Sequence, residues 1–263
     1  MPEPIIARDL GYRYDRDWVF RHLDFRLPAA CLTAILGPNG CGKSTLLAAL
    51  SGIRTPVEGT VSRRDSGLAL VPQSLEPTLP FTGLDMVLLG RARSISLFSA
   101  PRATDYAAAR DALARLEAAH LADRAFDVMS GGERQLVLIA RALVSSSAVL
   151  LLDEPTAALD WHRQAHVLNL LRQLADDGLA VAFTTHAPQH ALDFADQVLL
   201  MAEPERQLSG PPEDVLGEEA LSKLYRIPVK RLRLPDSECS TAIPVLRGYC
   251  PLSRAVPENA RLS

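Results

Sequence analysis

The sequence predicts an α/β protein built on a mostly parallel sheet, with an antiparallel β segment at its start and a helical subdomain inserted in its middle. Apolar, β-rich runs at Cys31–Leu36, Leu68–Val71, 148–152, 179–184 and 198–201 are separated by helical stretches. Parallel strands joined by crossover helices require that alternation. Leu23, Phe25 and Leu27 instead alternate with polar residues, the period-two pattern of a strand buried on one face of an antiparallel sheet. Between 81 and 127 the strand pattern disappears, and alanine- and leucine-rich stretches such as 105–119 favour helix.

These elements are expected to form one domain over 1–234, with the helical subdomain at about 81–145 and a polar tail at 235–263. Pro72, Pro77 and Pro80 interrupt any helix between the sheet and the insertion, so 72–80 reads as a hinge loop. A tight hairpin is expected near 59–66, within the interval between Lys43 and Gln73. A short helical region at 212–225 and a β-like run at 229–234 close the domain, and there is no internal repeat.

Composition removes several classes. An apolar fraction of 48% with 22% charged residues and a formal net charge of −3 excludes a largely disordered chain. Lys+Arg at 28 and Asp+Glu at 31 are balanced and interspersed, which leaves no basic stripe for a nucleic-acid backbone. The longest apolar stretches, around 148–152 and 179–183, fall far short of the roughly 20 residues that a membrane-spanning helix needs. The opening Met1-Pro2-Glu3-Pro4 lacks a basic region followed by an apolar run, so a cytoplasmic location is expected. Cys31, Cys41, Cys239 and Cys250 form no CxxC pair and are expected to be reduced. His162 and His166, like His186 and His190, are four apart, a spacing that could suit a metal, but no third ligand stands at a convincing spacing. A solvated helix face is the better reading than zinc.

Chemistry concentrates at two places. Gly37-Pro38-Asn39-Gly40-Cys41-Gly42-Lys43-Ser44, followed by Thr45, fits GxxxxGK[ST] between an apolar strand and a helix-like stretch. Glycines there let backbone N–H groups turn toward phosphate oxygens, and a helix N-terminus adds favourable partial charge. Lys43 can reach the outer phosphates and the Ser44 hydroxyl can ligate Mg²⁺. The second place is 148–152 followed by Asp153 and Glu154, an apolar strand ending in two carboxylates. Asp153 is suited to holding Mg²⁺ through water and Glu154 to accepting a proton from an attacking water. Nucleotide hydrolysis is therefore expected.

Ser130-Gly131-Gly132-Glu133-Arg134-Gln135, between the phosphate loop and the acidic strand, resembles the signature motif of the ABC ATPases. Over roughly residues 4 to 234 the sequence is similar to ATP-binding subunits of ABC transporters, and the resemblance implies a phosphate-loop ABC ATPase fold. It implies that Ser130, Gly131 and Gly132 close on the γ-phosphate of ATP bound to a second copy of the chain. Gln73 then looks like the Q-loop glutamine that senses Mg²⁺ and the attacking water, Asp160 like part of the D-loop, and His186 like the histidine that contacts the γ-phosphate. Tyr14 is the expected adenine-stacking aromatic, with Tyr12 as the alternative. Met129, Glu133 and Ala187 depart from the usual leucine, glutamine and aspartate of the family pattern, and none of these changes removes a catalytic group.

The stretch 79–91, with Thr185-His186 and the ending at 229–246, is similar to importer ATPases for iron chelates, haem, cobalamin and related metal complexes. The resemblance implies ATP and Mg²⁺ as cofactors, a homodimer of ATPase subunits, integral-membrane permease subunits, a substrate-binding protein, and a place on the inner face of the cell membrane. Two other readings share the catalytic residues: an exporter ATPase, and a soluble ABC ATPase acting on a ribosome, DNA or a cluster-assembly scaffold.

Overall fold

The computed structural model describes residues 3–64, 67–73, 75, 80–92, 100–233 and 240–244. Most of the proposed hinge, including Pro77, and both Cys239 and Cys250 lie outside the described residues. In chain order the elements are β1 (Ile5–Tyr14), β2 (Asp17–Leu27), β3 (Cys31–Leu36), α1 (Lys43–Ser51), β4 (Glu58–Arg63), β5 (Leu68–Val71), α2 (Gly83–Leu88), α3 (Ala103–Arg115), α4 (Gly131–Leu143) and β6 (Val149–Leu152). There follow α5 (Trp161–Asp176), β7 (Ala180–Thr185), α6 (Pro188–Phe194), β8 (Gln197–Glu203), β9 (Arg206–Gly210), α7 (Pro212–Val215), α8 (Glu218–Tyr225), β10 (Val229–Arg233) and β11 (Ser240–Pro244).

The central sheet runs in the order β5-β6-β7-β3-β8-β9, parallel except for β9, which turns back antiparallel to β8. β3, β6 and β7 are buried along their whole lengths because both faces of the sheet are covered, which is why they read as unbroken apolar runs. One face packs on α1 and on the antiparallel sheet β2-β1-β4 through Leu10, Phe20, Phe25, Leu46 and Leu50. The other face packs on the helices, through Leu32, Val87, Leu138, Leu171 and Phe183. In β2, Leu23, Phe25 and Leu27 point inward while His22, Asp24 and Arg26 are exposed, as the alternation required.

Two expectations need correction. The stretch near 59–66 is no hairpin over its described part: β4 is a single strand that pairs antiparallel with β1, Ile5 opposite Arg63 and Ala7 opposite Val61. The segment set aside as tail contains β11, which pairs with β10 from Val229 opposite Pro244 to Arg233 opposite Ser240. The strand β9 also emerges where the sequence showed no apolar run; its backbone is completed by β8.

The insertion is helical. α2 begins with a capping box in which Thr82 Oγ1 accepts from the Asp85 N–H while the Asp85 carboxylate accepts from the Thr82 N–H. α2, α3 and α4 bury Val87, Leu113, Val137 and Ile139 among themselves, so the subdomain has an apolar centre continuous with that of the sheet. Because parallel strands share a direction, the C-terminal ends of β3, β5, β6 and β7 open on one edge, where α/β sheets hold ligands.

Phe183 is fully buried in β7. Phe183→Ala is expected to lower unfolding free energy by about 3–5 kcal/mol, whereas Leu208→Ala at a half-exposed position of β9 should change it by well under about 1 kcal/mol; urea unfolding of both variants checks this.

Candidate nucleotide site

The loop after β3 is shaped by glycines. Gly42, the cap of α1, has φ of 100°, and a Cβ there would lie 2.2 Å from Val19 Cγ1, so this position needs glycine on two counts. The chain then enters α1 with Lys43 as its first residue, and the N–H groups of that first turn have no partners within the helix. Lys43 is buried; its Nζ donates to the carbonyls of Gly37 at 2.9 Å and Pro38 at 3.1 Å, and stands 3.2 Å from Glu154 Oε1.

The acidic pair follows β6. Asp153 N–H donates to Val71 O at 2.8 Å, extending the β5–β6 pairing by one residue. Thr184, fully buried on the neighbouring strand, donates its hydroxyl to Asp153 Oδ1 at 2.7 Å and accepts from the Glu154 N–H at 2.7 Å. That second bond holds Glu154 in a left-handed conformation, φ 45°, strained for a residue with a side chain, a feature that concentrates at functional sites. The Glu154 carboxylate, 11% exposed, lies between Lys43 and His186, whose Nδ1 is 3.5 Å from Oε2.

Asn39, Gly40, Gly42, Lys43, Ser44, Thr45, Gln73 and Glu154 line one cavity of about 390 Å³. Gln73 reaches it from the end of β5. On the far side of Glu154 a smaller cavity of about 130 Å³ is bounded by Thr184, His186 and His190 among others. Gly37 and Pro38 form the loop floor, and the Cys41 thiol is pushed above its ordinary pKa by burial, so it is protonated at neutral pH. Tyr14 is 47% exposed beside the start of α1, its hydroxyl 3.4 Å from Thr45 Oγ1. Tyr12 is the more buried ring; its hydroxyl accepts from Arg54, and it meets Tyr14 edge to face at 5.3 Å.

The signature residues sit elsewhere. Ser130 caps α4 in a capping box with Glu133: the Glu133 N–H donates to Ser130 Oγ at 3.3 Å, and the Ser130 N–H donates to Glu133 Oε2 at 2.8 Å. The bond from the Ser130 N–H, first among its causes, holds the Glu133 carboxyl below its usual pKa. Gly131 and Gly132 lie against Ala158, where a Cβ on Gly132 would come 2.8 Å from the Ala158 carbonyl oxygen. Asp160 caps α5 by accepting from the Arg163 N–H, and the next residue, Trp161, is 89% exposed. Thus one chain gathers the phosphate loop, Gln73, the acidic pair and His186, while Gly131 and Gly132 lie against Ala158 and Leu159, just before Asp160, outside the lining of the phosphate-loop cavity. Met129 fills the leucine position as a buried residue, and Ala187 caps α6 with its N–H donated to Thr185 Oγ1.

His190 meets Thr185 Oγ1 through Nδ1. His162 Nε2 and His166 Nδ1 face Glu117 at 3.6 and 3.9 Å, a carboxylate brought from the end of the α3 region by tertiary packing. Thr184 was not singled out from sequence, where it reads as an ordinary β-branched strand residue.

The family model for the ABC transporter matches residues 20–157. The molybdate import ATP-binding protein MolC of Haemophilus influenzae is 40% identical over 231 residues, covering 87% of this chain and 90% of that protein. The hemin import ATP-binding protein HmuV of Nocardia farcinica is 38% identical over 239 residues, 86% of this chain and 82% of that one. Among solved structures, a metal-chelate type ABC transporter in an inward-facing conformation superposes with a TM-score of 0.85 at 37% identity, covering 94% of this chain and 99% of that one. The chain therefore belongs to the ABC transporter family, as an ATP-binding subunit of the class that hydrolyses ATP to power transport. Such subunits act with membrane permease components. Among the described residues no helix is long and apolar enough to cross a membrane.

Thr184→Val keeps the shape of the side chain and removes both hydrogen bonds. The variant is expected to lose about 1–3 kcal/mol of stability, because Asp153 and the Glu154 N–H are left unpaired, and to lower kcat for ATP more than it changes KM; urea unfolding and steady-state ATPase assays check it. Burial, with the nearby His186, lowers the His190 pKa, so the unfolded chain binds the proton more readily. This contribution is fully present above about pH 6.5, the ordinary histidine value, and is lost as pH falls through the lowered folded value. His190→Asn should flatten the fall in unfolding free energy below that pH.

Proposed function

We propose that two copies of this chain enclose two ATP molecules, each site completed by Ser130, Gly131 and Gly132 of the other copy, and that the cycle of closure and reopening drives an attached permease. The observation that carries this is the division within one chain: the phosphate loop, Asp153, Glu154 and His186 share a region, while Gly131 and Gly132 pack against Ala158 and Leu159, outside the lining of the phosphate-loop cavity. A helix N-terminus with two glycines is an anion-binding surface, and it does not border the cavity of its own chain.

In this reading the N–H groups around Gly40, Gly42, Lys43, Ser44 and Thr45 bind phosphate oxygens, Lys43 balances the outer phosphates, and Tyr14 stacks on adenine. Water attacks the γ-phosphorus, the bond to the β–γ bridging oxygen breaks, and the water proton passes to Glu154, leaving ADP and inorganic phosphate. His186 donates to the γ-phosphate and Gln73 orients the water. Asp153, Ser44 and Gln73 would hold Mg²⁺, which supplies charge neutralisation on the β- and γ-phosphates when bound. Among the described residues no three His, Cys, Asp or Glu side chains form a metal cluster, which fits an ion coordinated chiefly by phosphates and waters.

The transport direction is inward and the cargo an iron chelate, haem, cobalamin or related metal complex, a reading supported by the hemin import relative and the metal-chelate transporter structure. The molybdate import relative favours a second reading in which the cargo is an oxyanion. A substrate-binding protein delivers cargo, and the chain works on the inner face of the membrane. Purification with its permease, followed by uptake assays with labelled iron chelates and molybdate, separates these cargo readings.

Glu154→Gln is expected to lower kcat by about 10²-fold or more, the scale of general-base catalysis, while ATP binding persists. With MgATP the variant should elute as a dimer in size-exclusion chromatography with light scattering, and a persistent monomer would count against the two-chain mechanism.

A further inference from the structure

His186 lies just past β7, in the short link Thr185-His186-Ala187 that leads to Pro188 at the start of α6. Its ring can meet the Glu154 carboxylate only if the backbone at 186 is held, and the ring itself is more than half exposed. The link is held at its flanks by the Ala187 N–H to Thr185 Oγ1 and by the Gly37 N–H to Thr185 O. At residue 186 itself, the Tyr225 hydroxyl donates to the His186 carbonyl oxygen at 2.6 Å. Tyr225 is the last residue of α8, 39 positions away, and the chain turns sharply after it at Arg226 with φ of 57°.

We infer that Tyr225 is a positioning residue for ATP hydrolysis, its phenol fixing the backbone from which His186 reaches the γ-phosphate. Three features separate this from ordinary helix packing. The ring is partly buried, and that burial pushes the phenol pKa well above the usual tyrosine value, so it stays a hydrogen-bond donor throughout the physiological range. The same side chain borders a cavity of about 560 Å³ whose other walls include Pro38 and Asn39 of the phosphate loop, placing it beside the phosphate loop as well as the His186 link. A second tie joins the same C-terminal elements to α6, from the Ala242 N–H of β11 to Gln189 Oε1 at 3.4 Å.

α8 is itself anchored independently of His186. Its own Leu221 and Leu224 are buried, Ser222 Oγ accepts from the Val229 N–H at 2.8 Å, and Glu218 accepts from both Lys230 Nζ and the Arg231 N–H. The helix and the paired strands β10 and β11 therefore make a brace, and Tyr225 is the residue through which α8 touches residue 186. A displacement of about 1 Å at a reacting group can cost on the order of 10²-fold in rate, so one backbone hydrogen bond has leverage here beyond its modest net contribution to stability.

The inference rests on the reading of His186 as the γ-phosphate histidine, and the test separates the two. ATPase rates, KM and melting temperature are measured on the full chain for wild type, His186→Ala, Tyr225→Phe and Ser222→Ala, the last breaking an anchor of the same brace without touching residue 186. The expected result is near-complete loss for His186→Ala, a kcat lowered about 5- to 10-fold with KM within about twofold for Tyr225→Phe, on the leverage just given, and a wild-type kcat for Ser222→Ala whatever its melting temperature. Wild-type kcat in Tyr225→Phe beside an inactive His186→Ala overturns the role of Tyr225 alone. Equal kcat losses in Tyr225→Phe and Ser222→Ala, or a change confined to KM, overturn it by showing general support or nucleotide binding. Full activity in His186→Ala overturns the reading of the site beneath it.

Discussion

Between the ends of β6 and β7 a single buried hydroxyl ties the acidic pair to the sheet: Thr184 donates a hydrogen bond to Asp153 and accepts one from the backbone N–H of Glu154. The register of the two strands, Leu152 opposite Phe183, brings Thr184 beside the acidic pair, and the unbroken apolar runs on both strands fix that register by burial on both faces. Asp153 and Glu154 are thereby turned apart. Asp153 is held in the sheet, while Glu154 is twisted into a left-handed conformation that sends its carboxylate toward Lys43 and His186. A one-residue slip of either strand would dissolve the site without removing any of its residues.

The two covered faces of the sheet divide the labour. The antiparallel sheet and α1 stiffen the side that carries Tyr14 and the phosphate loop, and the helices on the other side carry Ser130, Gly131 and Gly132. Glu133 shows how a departure from the usual family residue is absorbed. As a carboxylate it completes the capping box of α4 and pairs with Arg124 at 2.7 Å, so it reinforces the helix start where a neutral glutamine would accept the same bond with less charge.

The phosphate loop and the acidic pair were legible in the sequence because each is a local pattern tied to the end of an apolar strand, whereas Gln73 and His186 were singled out only by the resemblance to the family. The same reasoning failed where an element owes its form to a distant partner. β4, Glu-Gly-Thr-Val-Ser-Arg, has one aliphatic residue and becomes a strand because β1 presents an edge to it; β9 and β11 are strands for the same reason beside β8 and β10. Thr184 was hidden because a threonine in a buried β run needs no further explanation, and Tyr225 because 39 residues separate it from its acceptor. The family resemblance puts Tyr14 ahead of Tyr12 as the adenine-stacking ring. Their environments differ, Tyr12 packed against Phe20 and bonded to Arg54, Tyr14 the more open ring.

Trp161, directly after Asp160 and almost entirely exposed, gives the chain an optical property. Of its two tryptophans, Trp18 lies under the guanidinium groups of Arg13 and Arg21, a setting fixed within the antiparallel sheet. The emission of Trp161 is left to report on whatever meets the Asp160 loop. An indole in water emits at longer wavelength than one covered by protein, so the spectrum of the unlabelled chain carries a built-in record of whether that loop is free or in contact.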